Sequence, residues 1–139
     1  MKISARNQLQ GVVHFLDEGT IDTSVYVRLQ SGYTLVSIIT NEAVADLKLE
    51  MGDDVIVFFK SSSVLIMTDI SLGISARNKF QGNIKKIKHA EVTAQIVVDI
   101  GNNEKIVSTI TQDAVELLEL QTDKNVSAII KATDVMIAK

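Results

Sequence analysis

Ser4-Ala5-Arg6-Asn7-Gln8-Leu9-Gln10-Gly11 recurs 71 residues later as Ser75-Ala76-Arg77-Asn78-Lys79-Phe80-Gln81-Gly82. With the same offset, residues 3–67 align with residues 74–138 without a gap, and 20 of these 65 positions are identical. Many of the remaining positions are apolar in both copies. The chain therefore contains the same structural unit twice, so an interpretation of one copy can be checked against the other.

The repeat predicts two domains, residues 1–70 and residues 71–139. The junction at residues 68–73 is short and varied in composition, so we expect a tight connection between packed lobes and not a flexible tether. Each repeat has only about 70 residues, a size at which a single hydrophobic core is marginal. Packing of the two lobes and association of chains are therefore expected on physical grounds.

The composition excludes several classes of protein. The chain has 139 residues, 46% of them hydrophobic and 22% charged, so it is expected to fold and to be soluble. It contains no cysteine, which excludes disulfides, thiolate metal sites and a cysteine nucleophile. The longest apolar stretches, such as residues 55–59, are too short to span a bilayer, and the N-terminus lacks the apolar core of a signal peptide. A cytoplasmic protein without a membrane partner is the simplest expectation.

Valine, isoleucine and threonine dominate the apolar segments, and this composition favours strands. Strands are expected at residues 11–16, 24–29, 34–39, 55–59 and 64–67, and a turn at residues 30–32 matches residues 101–103 of the second copy. Helices are expected at residues 41–47 and 112–120, where apolar residues recur at helical spacing. In this interpretation residues 55–59 and 64–67 close their own lobe as its last two strands.

The element order in each copy is therefore three strands, a helix and two strands. This is the order of an OB-type Greek-key barrel. The predicted fold class is mainly β, with two tandem OB-like five-stranded Greek-key barrels and one short helix between strands 3 and 4 of each.

No residue pattern points to catalysis, and the protein is not expected to be an enzyme. The two histidines, His14 and His89, fall at non-equivalent positions of the repeat, and a surface or half-buried structural role is the simpler interpretation of each. No metal-binding histidine motif and no Walker-type glycine-rich loop occurs in the sequence, so no bare metal cation and no cofactor are expected.

What repeats is a set of hydrogen-bond donors. Its members are Ser4, Arg6, Ser37, Thr40 and Lys60, which recur as Ser75, Arg77, Ser108, Thr111 and Lys131. Thr40 and Thr111 precede the expected helices, where N–H groups of residues 41–43 and 112–114 lack helical partners and favour anions. Hydroxyls, amides and cations together suit a small oxyanion. Several members also have a simpler interpretation. The threonines would cap helices, the lysines would be solvated strand ends, and the arginines would pair with carboxylates or pack against a neighbouring lobe.

The motif Ser-Ala-Arg-Asn-x-(Leu/Phe)-x-Gly, opening a unit of this length and element order, resembles the Mop domain of the molbindin family. Two such domains in tandem resemble the di-Mop molbindins over essentially the whole chain. The resemblance implies an OB-like fold, cytoplasmic location, binding of molybdate and tungstate at interfaces between lobes and chains, and a homotrimer. Storage or buffering of these oxyanions is the function implied.

The resemblance also implies two sets of site residues. The first set is Ser4, Ala5, Arg6, Lys60 and Ser61, faced by Thr40 and Ala43 of a neighbouring lobe. The second set is Ser75, Ala76, Arg77, Lys131 and Ala132, faced by Thr111 and Ala114. Ala132 departs from the pattern because it replaces the hydroxyl of Ser61, so the resemblance does not carry that side-chain contact over to the second set.

Two other functions stay open at this point. An OB-fold nucleic-acid binder needs a basic groove and stacking aromatics, whereas the net charge is −3 and the one basic cluster is Lys85, Lys86, Lys88 and His89. A molybdate-responsive regulatory module is the second alternative, because Mop domains also occur fused to DNA-binding or transporter ATPase domains. The chain shows no helix-turn-helix or ATPase segment.

Overall fold

In the computed structural model, which describes residues 2–139, the two repeats form the same elements in the same order. The first repeat comprises β1 (Asn7–Glu18), β2 (Asp22–Leu29), β3 (Thr34–Thr40), α1 (Asn41–Leu47), β4 (Asp54–Phe59) and β5 (Leu65–Met67). The second repeat comprises β6 (Asn78–His89), β7 (Thr93–Gly101), β8 (Glu104–Thr111), α2 (Gln112–Leu117), β9 (Asn125–Ile130) and β10 (Met136–Ala138). A single 3₁₀ turn precedes each last strand, at Ser61–Ser63 and at Ala132–Asp134. The mainly β fold with a short helix after the third strand of each repeat is confirmed.

The opening motif forms the first strand of each sheet because its residues alternate between core and solvent. In β1, Asn7, Leu9 and Val13 are buried, whereas Gln8 and Gln10 between them are exposed. Period-two alternation of this kind is what a strand with one buried face requires. The buried face packs on a core in which Phe59 and Phe80 are the largest fully enclosed side chains.

The first strand of each repeat is interrupted by a β-bulge, which locally bends a strand. The first part of β1 pairs with β4 and its later part with β2, and a β-bulge falls at His14, as another does at Lys85 of β6. At Gly11 the neighbouring strand approaches so closely that an added Cβ would lie 2.8 Å from the carbonyl oxygen of Arg28. The glycine that ends the repeated motif is therefore required by the close approach of backbones.

The fifth strands are exchanged between the two sheets, which corrects the expectation that each repeat closes its own lobe. One sheet has the order β10-β4-β1-β2-β3 and the other the order β5-β9-β6-β7-β8. Ile137 of the second repeat thus pairs with Val57 of the first, and Ile66 of the first repeat pairs with Ala128 of the second. Each sheet is completed only by a strand from the other repeat.

Buried side chains of the repeated motif also join the two repeats. Asn7 donates from Nδ2 to the carbonyl of Val107 at 2.8 Å and accepts the Val107 N–H at 2.7 Å. Asn78 makes the equivalent pair of hydrogen bonds with Val36, each at 2.8 Å. Because both asparagines are only 1% exposed, their side-chain amides are satisfied by these backbone groups and not by water.

The helices are short, and the second is shorter than the sequence pattern predicts. Helix α1 spans the predicted residues 41–47 and is followed by Lys48, which adopts a left-handed conformation with φ of 51°. Helix α2 ends at Leu117, not at the expected Leu120, and Glu119 takes the left-handed conformation. Leu120 continues the apolar spacing because it is buried in the core, although the backbone there is no longer helical.

Candidate oxyanion site

The first predicted set of residues surrounds a cavity of about 270 Å³ where the opening motif meets the end of β4. The residues that line it are Ile3, Ser4, Ala5, Arg6, Lys60, Ser61, Ser62 and Met136. Five of them were predicted from the sequence, and none carries a carboxylate. Ser62, Ile3 and Met136 were missed. Met136 was missed because it reaches the cavity only through the exchanged strand β10.

The cavity has a cationic rim. Arg6 and Lys60 are both exposed at its edge, and the Arg6 Nε donates to the carbonyl oxygen of Ser4 at 3.2 Å. Within residues 2–139, one salt bridge is formed, between Lys139 and Asp53, so neither of the two rim cations is neutralised by a carboxylate. Hydroxyls and cations without a carboxylate are complementary to an anion that carries only acceptor oxygens.

The hydroxyl of Ser61 lies at the contact between the two repeats. Its Oγ is 2.8 Å from the Oγ1 of Thr109, which belongs to β8 of the second repeat. The whole 3₁₀ turn at Ser61–Ser63 packs against β8, and the turn at Ala132–Asp134 packs against β3 in the same way. The cavity of the first repeat therefore stands beside a strand of the second.

The helix side of the first predicted set does not line this cavity. Thr40 caps α1, with its Oγ1 accepting the N–H of Ala43 at 3.1 Å, and the N–H of Asn41 donates to the carbonyl of Ile21 at 2.9 Å. In α2, Thr111 caps Ala114 at the same distance. The prediction that both threonines cap the helices is confirmed. The expectation that the N–H groups of residues 41–43 and 112–114 are all free is corrected, because two of each trio are bonded, one to the threonine and one to the carbonyl of Ile21 or Val92.

The second predicted set has the same cations but less polar surroundings. Ser75, Arg77 and Lys131 are exposed, and Ala76 is half-buried. Ala132 is only 4% exposed and offers no hydroxyl. Through the repeat, Ala132 corresponds to Ser61, and Ile38 of β3 corresponds to Thr109. A polar pair in one half of the molecule is therefore replaced by an apolar pair in the other half.

Ser37 and Ser108, which repeat as donors in the sequence, bind the protein itself. Ser37 Oγ donates to the carbonyl of Val135 at 2.7 Å, and Ser108 Oγ donates to the carbonyl of Val64 at 2.6 Å. Both serines are fully buried. They anchor the chain that leads into each exchanged strand, and this structural role explains why they repeat.

The remaining candidate groups are dispersed. No three histidine, aspartate or glutamate side chains within residues 2–139 are grouped to hold a metal ion. His89 Nδ1 lies 3.1 Å from the Gln112 side chain, and His14 Nε2 lies 3.5 Å from an Arg28 nitrogen. Phe59 and Phe80 are enclosed in the core, so neither offers a stacking surface to a base.

Among residues 2–139, no helix has the length and apolar character needed to cross a membrane.

The two five-stranded sheets, each with a short helix after its third strand, define a two-repeat protein of the OB-like class. The TOBE domain model matches residues 3–66 and 74–137. The chain belongs to the TOBE domain family and carries two TOBE (Mop) domains in tandem.

Several proteins with molybdenum-related names are similar to the chain. It is 34% identical over 139 residues to the molybdenum transport protein ModE of Herbaspirillum seropedicae, covering 99% of this chain and 52% of the relative. It is 29% identical to the molybdenum-pterin-binding protein MopB of Rhodobacter capsulatus, with the same coverage. The chain thus spans about half the length of these curated relatives. Molybdenum-pterin-binding protein 3 of Clostridium pasteurianum matches one repeat, at 39% identity over 66 residues, 48% of this chain and 97% of that protein.

One solved structure matches almost the whole fold. The cytoplasmic molybdate-binding protein ModG, solved with molybdate bound, superimposes with a TM-score of 0.95 at 36% identity. The match covers 99% of both chains. The arrangement of two intertwined sheets is therefore shared with a protein that binds molybdate.

Proposed function

We propose that this protein binds molybdate and tungstate in the cytoplasm and stores or buffers them. The observation that carries the proposal is the cavity whose hydroxyls and cations, from Ser4, Arg6, Lys60 and Ser61, face no carboxylate. The similarity to ModG, described as a cytoplasmic molybdate-binding protein, supports molybdate as the ligand. Tungstate is included because it is a tetrahedral dianion of the same type.

The donor set suits a fully deprotonated oxyanion. Molybdate at neutral pH has acceptor oxygens only, whereas monohydrogen phosphate carries a proton that needs an acceptor. A charge-assisted hydrogen bond from Lys60 contributes about 1.5–3 kcal/mol, and each neutral donor about 0.5–1.5 kcal/mol. A few such bonds together reach about −8 kcal/mol, which corresponds to micromolar affinity.

The site is proposed to be completed between lobes or chains, and the assembly to be a homotrimer. The cavity of one chain is open, and it is not lined by the residues at the helix starts, which are Thr40, Ala43, Thr111 and Ala114. The second set, Ser75, Ala76, Arg77, Lys131 and Ala132, is proposed to bind in the same way with one hydroxyl fewer. In this assembly the starts of α1 and α2 are proposed to lie beside the bound oxyanion. They do not bind it through the Ala43 and Ala114 N–H groups, because those groups already donate to Thr40 and Thr111.

Calorimetric titration with sodium molybdate and sodium tungstate tests the proposal. The unmodified protein is expected to bind both ions at about micromolar concentration or tighter. Lys60→Ala and Lys131→Ala are each expected to weaken binding about tenfold, for a loss of about 1.5 kcal/mol or more. Lys86→Ala, which removes an exposed lysine outside the site, serves as the control. Failure of the unmodified protein to bind either ion contradicts the proposal. Unchanged affinity in a variant with both Lys60→Ala and Lys131→Ala would show that the lysines do not bind the oxyanion.

A molybdate-responsive regulatory role is the second candidate. It is supported by the partial coverage of the molybdenum transport protein of Herbaspirillum seropedicae, in which the matched half is joined to a further segment of similar length. Capture of a protein partner only in the presence of molybdate supports this role, whereas binding of molybdate without any partner favours storage.

A further inference from the structure

The chain carries two oxyanion sets that are equivalent in sequence position but not in chemistry. Ser61 pairs with Thr109 through their hydroxyl oxygens at 2.8 Å, and both side chains are half-buried. The corresponding positions in the other half are Ala132 and Ile38, which have no hydroxyl. Both members of the pair therefore change together, and the change affects only one of the two sets.

Thr109 does not line the cavity, whereas Ser61 does. A serine hydroxyl that faces a neighbouring hydroxyl can either donate to it or accept from it. When Thr109 donates to Ser61, the Ser61 O–H is free to point into the cavity, toward an anion that can only accept. Hydrogen bonds in such a chain polarise and strengthen one another.

We propose that Thr109, contributed by the second repeat, is a positioning residue for the first repeat's oxyanion site and acts by directing the Ser61 hydroxyl into the cavity. The inference rests on the proposed function. It predicts that the two sets of one chain differ in affinity for the oxyanion, and that the set around Ser61 binds more tightly. The first site thus depends on a residue that its own repeat does not contain.

The test compares Thr109→Val, which keeps the shape but removes the hydroxyl, in two backgrounds titrated with molybdate. With the second set weakened by Lys131→Ala, Thr109→Val is expected to lower affinity about three- to tenfold, the effect of losing one neutral hydrogen bond. With the first set weakened by Lys60→Ala, the same substitution is expected to change nothing. Thr109→Ser restores the hydroxyl and is expected to restore affinity. A purely structural role predicts the same loss of affinity in both backgrounds.

A gain of function completes the test. Ile38→Thr together with Ala132→Ser transfers the hydroxyl pair to the second set, and in the Lys60→Ala background it is expected to raise molybdate affinity. Ile38→Val is the matched control, and melting temperatures show whether each variant is folded. If the protein binds molybdate but Thr109→Val leaves its affinity unchanged in the Lys131→Ala background, the inference is overturned and the proposed function stands. If the unmodified protein binds no oxyanion, the proposed function itself fails.

Discussion

Asn7 and Asn78 show how a single repeated residue joins the halves of the molecule. Each side-chain amide bonds both the N–H and the carbonyl of one residue, Val107 or Val36, in the opposite repeat. An amide is suited to this role because it has a donor and an acceptor side by side, as the backbone does. Substitution therefore leaves two buried backbone groups without partners.

Asn78→Ala is expected to lower the free energy of unfolding by about 2–4 kcal/mol, because burying an unpaired polar group costs about 1–3 kcal/mol. Chemical denaturation monitored by circular dichroism measures the change. Asn83→Ala, on the exposed face of the same strand, is the control and is expected to change stability by less than about 0.5 kcal/mol. Equal losses in the two variants would show that the bridging bonds contribute nothing particular.

Asp53 gives the stability of the fold a pH dependence. The Glu50 N–H donates to its Oδ2 at 2.7 Å, and Lys139 Nζ lies 3.0 Å from the same oxygen. The Glu50 bond first, and Lys139 second, hold the pKa of Asp53 below its ordinary value of 3.8. Because the ionised form is favoured in the folded state, this stabilisation is complete above the unfolded pKa and is lost as the pH falls through the lower folded pKa.

Asp53→Asn is accordingly expected to flatten the acid side of the stability profile. Between about pH 6 and about pH 3, the melting temperature of the unmodified protein should fall further than that of the variant. Asp54→Asn removes an exposed neighbouring carboxylate that makes no hydrogen bond within the described residues, and it is the control. Parallel profiles for all three proteins would argue against the role given to Asp53.

Repetition in the sequence identified important residues but could not separate their roles. Ser4, Arg6 and Lys60 line one cavity, because the first repeat brings its opening motif beside the end of β4. Ser37 and Ser108 repeat just as strictly, yet they are buried and bond backbone carbonyls. A serine that anchors a strand and a serine that faces a cavity leave the same signal in a sequence, since burial depends on tertiary contacts.

At the scale of elements, the exchange of β5 and β10 predicts which strand is destabilised when an exchanged strand is disrupted. Ile66→Asp places a charge in a half-buried position of β5, which pairs with β9. Amides of β9 are expected to lose hydrogen-exchange protection by at least about tenfold, for about 1.4 kcal/mol of local destabilisation, whereas those of β4 keep more of theirs.

Ile137→Asp is the matched variant and is expected to show the reverse pattern, with β4 losing protection first because β10 pairs with it. If Ile66→Asp instead exposes β4 first, the strands close their own repeats in solution and the exchange is absent.

Strand positions were largely predictable, but strand partners were not. Alternating residues in β2 and apolar runs in β4 located those strands to within a few residues. Ile66 and Ile137 occupy the same repeat position, so their local patterns fit either sheet equally well. The choice between sheets is made by the 3₁₀ turns and the serine bonds that direct the chain across, and these appear only in three dimensions.

At the scale of the whole molecule, apolar side chains are exposed at matching places of the two repeats. Ile21 is 73% exposed and Val92, its counterpart, is 74% exposed. Their carbonyls accept the first N–H groups of α1 and α2, so both lie beside the helix starts that we propose to complete the sites. Exposed apolar residues in register favour burial at an interface between copies.

Light scattering is therefore expected to give a mass three times the 15.2 kDa of the chain. The double substitution Ile21→Glu and Val92→Glu is expected to reduce that mass to one chain, since unpaired charges would have to be buried. Glu18→Gln, an exposed polar change near the first hairpin, should leave the mass unchanged. A monomeric unmodified protein would contradict the trimer.

Reciprocal exchange of strands has a consequence for behaviour on dilution. If the two repeats were separate polypeptides, each sheet would need a second molecule to supply its edge strand. The complex would then dissociate as the protein concentration fell. A covalent junction keeps that edge at an effective concentration on the order of millimolar, whatever the abundance of the protein. The shared framework that holds Ser61 against Thr109 is thus preserved even when a cell contains only a few copies.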